Sequence, residues 1–395
     1  MAAWHCLGYS ADMPPAAPPR PGILLFLLTE DWFFASHFWP RARAAQAAGW
    51  HVVLVAHESA VGAQIRATGI EFVPVDFIRR RLNPLAELWF TLKLALLYRR
   101  LRPDVVHHIA LKPIVIGGIA ARLAGVRHVV NAPVGLGFVF SSAKPLARIL
   151  KPFVSLGLRL TLTPPGARAI FENPDDLGAL RRAGMLRPEA AVLIRGAGVN
   201  LDEFYPAAEP AGQLRVILVA RMIREKGVAD FVAAARLLKG QAEFVLVGAP
   251  DPGNPNSIPQ AELDAWQAEG VVRWLGPRRD IADLLRGAHI AVQPSTYREG
   301  LPKSALEAMA VGKPLVASDI PGCREAVVDG QTGFLFPAGD VRALAGAIEK
   351  LLNDAPLRAR FGAAGRARVV ENFSDSIVCA QTLKVYETFK PGDRP

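Results

Sequence analysis

The chain of 395 residues has little cysteine. Its three, Cys6, Cys323 and Cys379, are odd in number, and none lies in a Cys-x-x-Cys pair. That argues against a disulfide framework or a thiolate zinc site and fits a reducing compartment. Long apolar runs are also missing. The strongest, GILLFLL at Gly22–Leu28, has the length of a buried strand, and no stretch reaches the length of a membrane span. The first twenty residues lack the basic start and apolar centre of a secretory leader. Rich in Pro and Ala, they read as a flexible extension. With 51% hydrophobic and 21% charged residues the chain is not a disordered one.

Acidic residues are scarce in one region. Residues 79–168 hold 15 Lys/Arg but only two acids, Glu87 and Asp104, so the excess of positive charge in a chain of net charge +10 is concentrated there. Such a patch attracts an anionic membrane surface or an acidic substrate. The competing reading is a basic face kept for solubility. No nucleic-acid partner is expected, because no binding module is recognisable and the stretch is too apolar for a phosphate track.

Short apolar runs alternate with helical stretches along the chain, the pattern of parallel sheets covered on both faces. In the first half the expected strands are Ile23–Leu28, His51–Ala56, Glu71–Val75, Asp104–His107 and His128–Asn131. The pattern restarts with Arg215–Val219, Glu243–Val247, Val271–Trp274, Ile290–Gln293, Pro314–Ala317 and Gly333–Phe336. The fold class is therefore α/β, with two doubly wound domains over 21–196 and 197–374. They join near RGAGVN (Arg195–Asn200), and a last helix at 375–390 is expected to pack back on the first. Open parallel sheets bind ligands at the carboxyl ends of their strands, so two facing domains would enclose a cleft suited to two substrates.

The sharpest local signal is STYREGLPKSALEAMAVGKPLVASDIPGCRE (Ser295–Glu325), which follows a strand and enters a helix. Glu299 lies in the loop and Glu307 eight residues on in the helix. Gly300 permits close backbone approach, Pro302 suits a first helical turn, and the helix start offers unpaired N–H groups to an anion. Upstream, Arg221 and Lys226 lie where the first strand of the second domain ends, placed to neutralise a diphosphate.

Residues 190–355 resemble the donor domain of retaining GT-B glycosyltransferases of glycosyltransferase family 4. The matching pieces are GVNLDEFYP (Gly198–Pro206), ARMIREKG (Ala220–Gly227), FVLVG (Phe244–Gly248), WLGPRRD (Trp274–Asp280) and EGLPKSALEAMAVGKPLVASDIPGCREAV (Glu299–Val327). The resemblance implies a GT-B architecture of two Rossmann-like domains and a nucleotide-sugar donor, with a UDP-sugar expected. It implies that Arg221 and Lys226 hold the diphosphate and stabilise the leaving group. Glu307 would bind the ribose and Glu299 the sugar, the latter helped by Gly300, Leu301 and Pro302. The loop from Leu275 through Gly276 to Arg278 would lie near the base. Charge developing on the departing diphosphate would be stabilised by fixed cations. No cofactor and no metal are expected, in keeping with the lack of any Asp-x-Asp.

The first half resembles a subgroup that extends polyprenyl-diphosphate-linked sugars in surface polysaccharide or glycan assembly, through IRRRLNP (Ile78–Pro84), HHIALKP (His107–Pro113) and VGLGFVF (Val134–Phe140). The implied acceptor is a polyprenyl-diphosphate-linked saccharide. The Gly-rich loop that many relatives carry after the first strand is replaced by TEDWFFASHF (Thr29–Phe38). His108 and Lys112 are the candidates near the acceptor or donor phosphate, with Asp31 and His37 behind them. Strand alternation aims one of His107 and His108 at the cleft. The segments Asn83–Pro103 and Ser141–Leu162 mix apolar, aromatic and basic residues, as interfacial helices do. Peripheral association with the cytoplasmic face of the plasma membrane is the expectation. The alternatives are a GT-B-like UDP-sugar epimerase and an inactive nucleotide-sugar-binding assembly partner.

Overall fold

The computed structural model describes residues 21–78, 83–136, 140 and 145–389. The expected extension 1–20, the centre of IRRRLNP, much of the second half of VGLGFVF and the start of Ser141–Leu162 lie outside the described residues.

Two parallel sheets form the molecule. The first comprises β1 (Ile23–Glu30), β2 (His51–His57), β3 (Glu71–Pro74), β4 (Val105–Ile109), β5 (His128–Ala132), β6 (Ala167–Phe171) and β7 (Ala191–Leu193), in the order β3-β2-β1-β4-β5-β6-β7. The second comprises β8 (Arg215–Val219), β9 (Glu243–Val247), β10 (Arg273–Trp274), β11 (Ile290–Gln293), β12 (Leu315–Ser318) and β13 (Gly333–Phe336), in the order β10-β9-β8-β11-β12-β13. Each order reverses beside its first strand, between β1 and β4 and between β8 and β11. Helices cover both faces of each sheet, so Ile23–Leu28 of β1 and all of β4 are buried on both sides and read as apolar runs apart from two histidines in β4.

Two helices of the first lobe show their apolar side to solvent. Helix Pro84–Leu101 starts on Asn83, whose side chain accepts from the amides of Leu85 and Ala86, and ends at Arg102 in the left-handed region. It buries Phe90, Leu94 and Tyr98, yet Leu88, Trp89 and Leu96 remain 57%, 61% and 63% exposed. Helix Pro145–Leu162 exposes Ile149, Phe153, Leu156 and Leu160. Their spacing puts them on one stripe. Among the described residues no helix is long and apolar enough to cross a membrane.

The chain passes between lobes twice, at neighbouring points. Val199, in the first crossing, pairs with Ser374 in the second; its amide donates to Phe373 O, and Asp375 N donates to Val199 O, each at 3.0 Å. Helix Ala355–Asn372 packs on the second lobe, while the following helix Asp375–Glu387 returns to the first. There Val378, Val385 and Tyr386 enter the core beside Phe26 and Phe38. Arg41 pins this junction from inside. Its guanidinium, only 3% exposed, donates to Gly196 O (2.6 Å), His37 O (3.0 Å) and Thr382 Oγ1 (3.3 Å).

Candidate active site

A cleft of about 720 Å³ lies between the carboxyl edges of the two sheets. Its second-lobe wall starts where β8 ends. The loop after Val219 carries Arg221 and Lys226 and enters helix Val228–Leu237 at Gly227, whose φ is +68°. A Cβ there would sit 1.8 Å from Pro294 O, so only glycine lets this loop close on the exit of β11. Lys226 is thereby brought to Glu299, with Nζ 2.5 Å from Oε2. Burial opposes the lysine's charge, but Glu299 outweighs it, and the pKa of Lys226 lies above its ordinary value.

Glu299 is held by a chain of hydrogen bonds. Ser304 Oγ donates to Gln293 Oε1 (2.9 Å), Gln293 Nε2 to Ser295 Oγ (2.9 Å), and Ser295 Oγ to Glu299 Oε1. Arg221 is paired at 2.6 Å with Asp251, on the loop after β9, and its guanidinium lies 5.7 Å from the ring centre of Trp32 in the first lobe. Ser257 Oγ accepts from the Asp251 amide and helps hold that loop.

Helix Lys303–Ala310 begins just beyond Gly300, Leu301 and Pro302, all of which line the cleft. Glu307 also lines it, and burial pushes its carboxyl up while Lys303, 3.4 Å away, opposes that shift. Lys303 reaches across to donate to Ser36 O at 2.9 Å. From the first lobe come Trp32, Phe33, His37 and Glu172. His37 stacks on Phe33 at 4.2 Å. Burial, then the charges of Lys303, Arg41 and Lys226, lower its pKa to about 3, so it is neutral at physiological pH. Glu172 Oε2 accepts from Leu301 N at 2.9 Å. Burial pushes its carboxyl up, with the Leu301 amide and Arg41 pulling the other way.

The structure brings Arg221, Lys226, Glu299, Gly300, Leu301, Pro302, Glu307 and Arg278 to one cleft. Gly276 stands just behind it, its carbonyl accepting from Gly248 N at 2.9 Å. Three first-lobe candidates lie elsewhere. His108 is fully buried, with Nε2 3.2 Å from Tyr98 Oη and Nδ1 3.3 Å from Asn131 Oδ1. The expectation that one of the two histidines faces the cleft is corrected. The central strand β4 runs on to Ile109 under helices on both faces, so alternation sends both rings into the core. His107 meets Tyr386 Oη at 2.7 Å on one face, and His108 meets Tyr98 on the other. Lys112 is tied to Glu87 (3.0 Å) and Ile78 O (2.8 Å), away from the cleft. Asp31 is buried and accepts from Ser59 N at 2.7 Å.

Trp32, Asp251, Glu172 and Lys303 are cleft residues that the sequence reading missed. Asp251 and Glu172 each closely follow a strand end, the one available signal. Among the described residues no group of three or more His, Cys, Asp or Glu side chains is arranged to hold a metal.

Two sheets of this order facing one cleft define the GT-B class of transferases. Residues 202–368 match the model for glycosyl transferases group 1, and residues 23–163 that for glycosyl transferase 4-like domains. The chain is 30% identical over 337 residues to the N,N'-diacetylbacillosaminyl-diphospho-undecaprenol alpha-1,3-N-acetylgalactosaminyltransferase of Campylobacter jejuni, covering 82% of this chain and 87% of that one. Among solved structures it is similar to sucrose-phosphate synthase from Thermosynechococcus elongatus, with a TM-score of 0.78, 22% identity and coverage of 93% and 99%. It is also similar to Anabaena Alr3699/HepE in complex with UDP and glucose, with a TM-score of 0.75, 19% identity and coverage of 93% and 100%. The chain thus belongs to the glycosyltransferases, with a 4-like domain followed by a group 1 domain.

Proposed function

We propose that the enzyme transfers a hexose or N-acetylhexosamine from a nucleotide sugar, a UDP-sugar by preference, to a hydroxyl of a lipid-diphosphate-linked saccharide. The transfer retains the anomeric configuration and needs no metal. One observation carries this reading: Arg221, Lys226, Glu299, Gly300, Leu301 and Glu307 converge on a single cleft.

Breaking a glycosyl–phosphate bond leaves negative charge on the diphosphate. Arg221 and Lys226, positioned by Asp251 and Glu299, stabilise that charge, and the start of helix Lys303–Ala310 adds its partial positive charge. Glu307 accepts from the ribose hydroxyls and Glu299 from the sugar. The acceptor hydroxyl loses its proton to the departing phosphate oxygen.

The acceptor class follows the Campylobacter relative, whose name specifies an undecaprenyl-diphosphate-linked substrate. The first lobe supplies a second argument. The exposed stripe of Ile149, Phe153, Leu156 and Leu160 and the exposed Trp89 stand among Lys93, Arg99, Lys151 and Arg159. Apolar groups flanked by cations suit an anionic bilayer surface, where such a lipid resides.

Purified enzyme given a panel of UDP-sugars and an undecaprenyl-diphosphate-linked saccharide is expected to release UDP only when both substrates are present, with EDTA without effect. The anomeric configuration of the product checks retention. Conversion of a UDP-sugar without acceptor would instead make the protein an epimerase, and no turnover despite UDP-sugar binding would make it an assembly partner.

A further inference from the structure

We propose that Glu172, contributed by the first lobe, is a specificity-determining residue for the transferred sugar, its carboxylate accepting a hydrogen bond from a sugar hydroxyl. The inference rests on the nucleotide-sugar reading above and adds a residue from the opposite lobe.

Glu172 follows β6 directly and lines the cleft. Its Oε2 accepts from Leu301 N. A Cβ on Gly300 would lie 1.8 Å from Glu172 Oε2, so glycine at 300 admits this carboxylate to the second-lobe wall. The other oxygen, Oε1, has no hydrogen-bond partner among the described residues, although a carboxylate offers about four lone-pair sites. Acceptor capacity is therefore unspent on a residue facing the cavity.

The chemistry of that capacity limits what it can take. An ionised carboxylate accepts and does not donate, so it repels a phosphate and selects a hydroxyl or amide N–H. Arg221 and Lys226 serve the diphosphate; Glu172 cannot. Glu299 from the second lobe and Glu172 from the first line the same cleft as Gly300 and Leu301. Such a pair reads two hydroxyls of one ring. An epimer that turns one hydroxyl away leaves a half-buried carboxylate without that partner, which a site of this kind penalises more than a missing methylene.

The test measures binding of UDP and of four UDP-sugars (glucose, galactose, N-acetylglucosamine and N-acetylgalactosamine) by calorimetry, with turnover where it occurs. Wild type is compared with Glu172→Ala and Glu172→Gln. The glutamine keeps the size and an oxygen for the Leu301 amide, and so covers a folding failure of the alanine variant. The expected result is unchanged UDP affinity, a loss of at least about tenfold in kcat/KM for the preferred sugar, and collapse of the preference between gluco and galacto epimers. An equal loss for all four sugars, or no loss, would overturn the proposal. So would tighter binding of every UDP-sugar in Glu172→Ala, which would mean that the carboxylate competes with the sugar for the Leu301 amide. If wild type binds no UDP-sugar, the donor reading itself fails and this inference goes with it. If wild type discriminates and both variants discriminate equally, only this inference fails.

Discussion

Lys226 Nζ lies 2.5 Å from Glu299 Oε2, so the cation expected at the diphosphate and the carboxylate expected at the sugar are one coupled unit. Lys226→Ala and Glu299→Ala are each predicted to lower kcat/KM by at least about tenfold, or about 1.4 kcal/mol of transition-state stabilisation. Because the partners share a contact, the double variant is predicted to lose less than the sum of the two. Steady-state kinetics on the three variants checks this, and unchanged turnover in both single variants would reject the site.

Asp251 pairs with Arg221 at 2.6 Å and fixes the direction of its guanidinium. Asp251→Asn, which keeps the shape and removes the charge, is predicted to change kcat more than the KM for donor, because a misaimed guanidinium is felt most as charge develops. Restoration of kcat by Asp251→Glu would support the positioning role. An effect confined to KM would count against it.

His108 is a pH probe of the core. Burial, opposed by Asn131, lowers its pKa from 6.5 to about 4. The unfolded chain binds this proton first as pH falls, so the stability carried by neutral His108 is complete above pH 6.5 and is lost as pH drops towards 4. His108→Gln removes that titration. The gap in urea midpoint between wild type and variant is predicted to narrow from pH 7 to pH 4.5. A constant gap would mean the ring is not held neutral.

The outward stripe on helix Pro145–Leu162 gives a prediction about membranes. Phe153, 71% exposed, contributes little to the fold. Phe153→Glu combined with Trp89→Glu is predicted to abolish flotation with anionic vesicles at low salt while leaving the thermal midpoint nearly unchanged. Equal flotation of wild type and variant would remove the stripe from the binding face.

Most of the sheet architecture is legible in the sequence, because buried parallel strands read as short apolar runs between helices. β6 and β7 are not. ARAIF carries Arg168 at its second position and AVL has three residues, so neither stands out from its surroundings. Missing β6 hid Glu172, which is recognisable as a cleft residue only once the strand before it is known. The second-lobe candidates that meet in the cleft were legible because most of them sit on short loops and a helix start that directly follow apolar strands. Of the first-lobe candidates His37 lines the cleft, while His108, Lys112 and Asp31 lie away from it. His107 and His108 end an expected strand that in fact continues under its helices, and no local pattern marks where a sheet edge opens to solvent.

The side-by-side pairing of Val199 with Ser374 gives the molecule a single swivel. With both connections at one spot, either lobe can turn towards the other by small dihedral changes there, and neither sheet need lose a strand pairing. Opening to admit substrates and shutting to exclude water then become a rotation about one short axis. Arg41, bonded to Gly196 O on one connection and to Thr382 beyond the other, ties the two connections together at that spot.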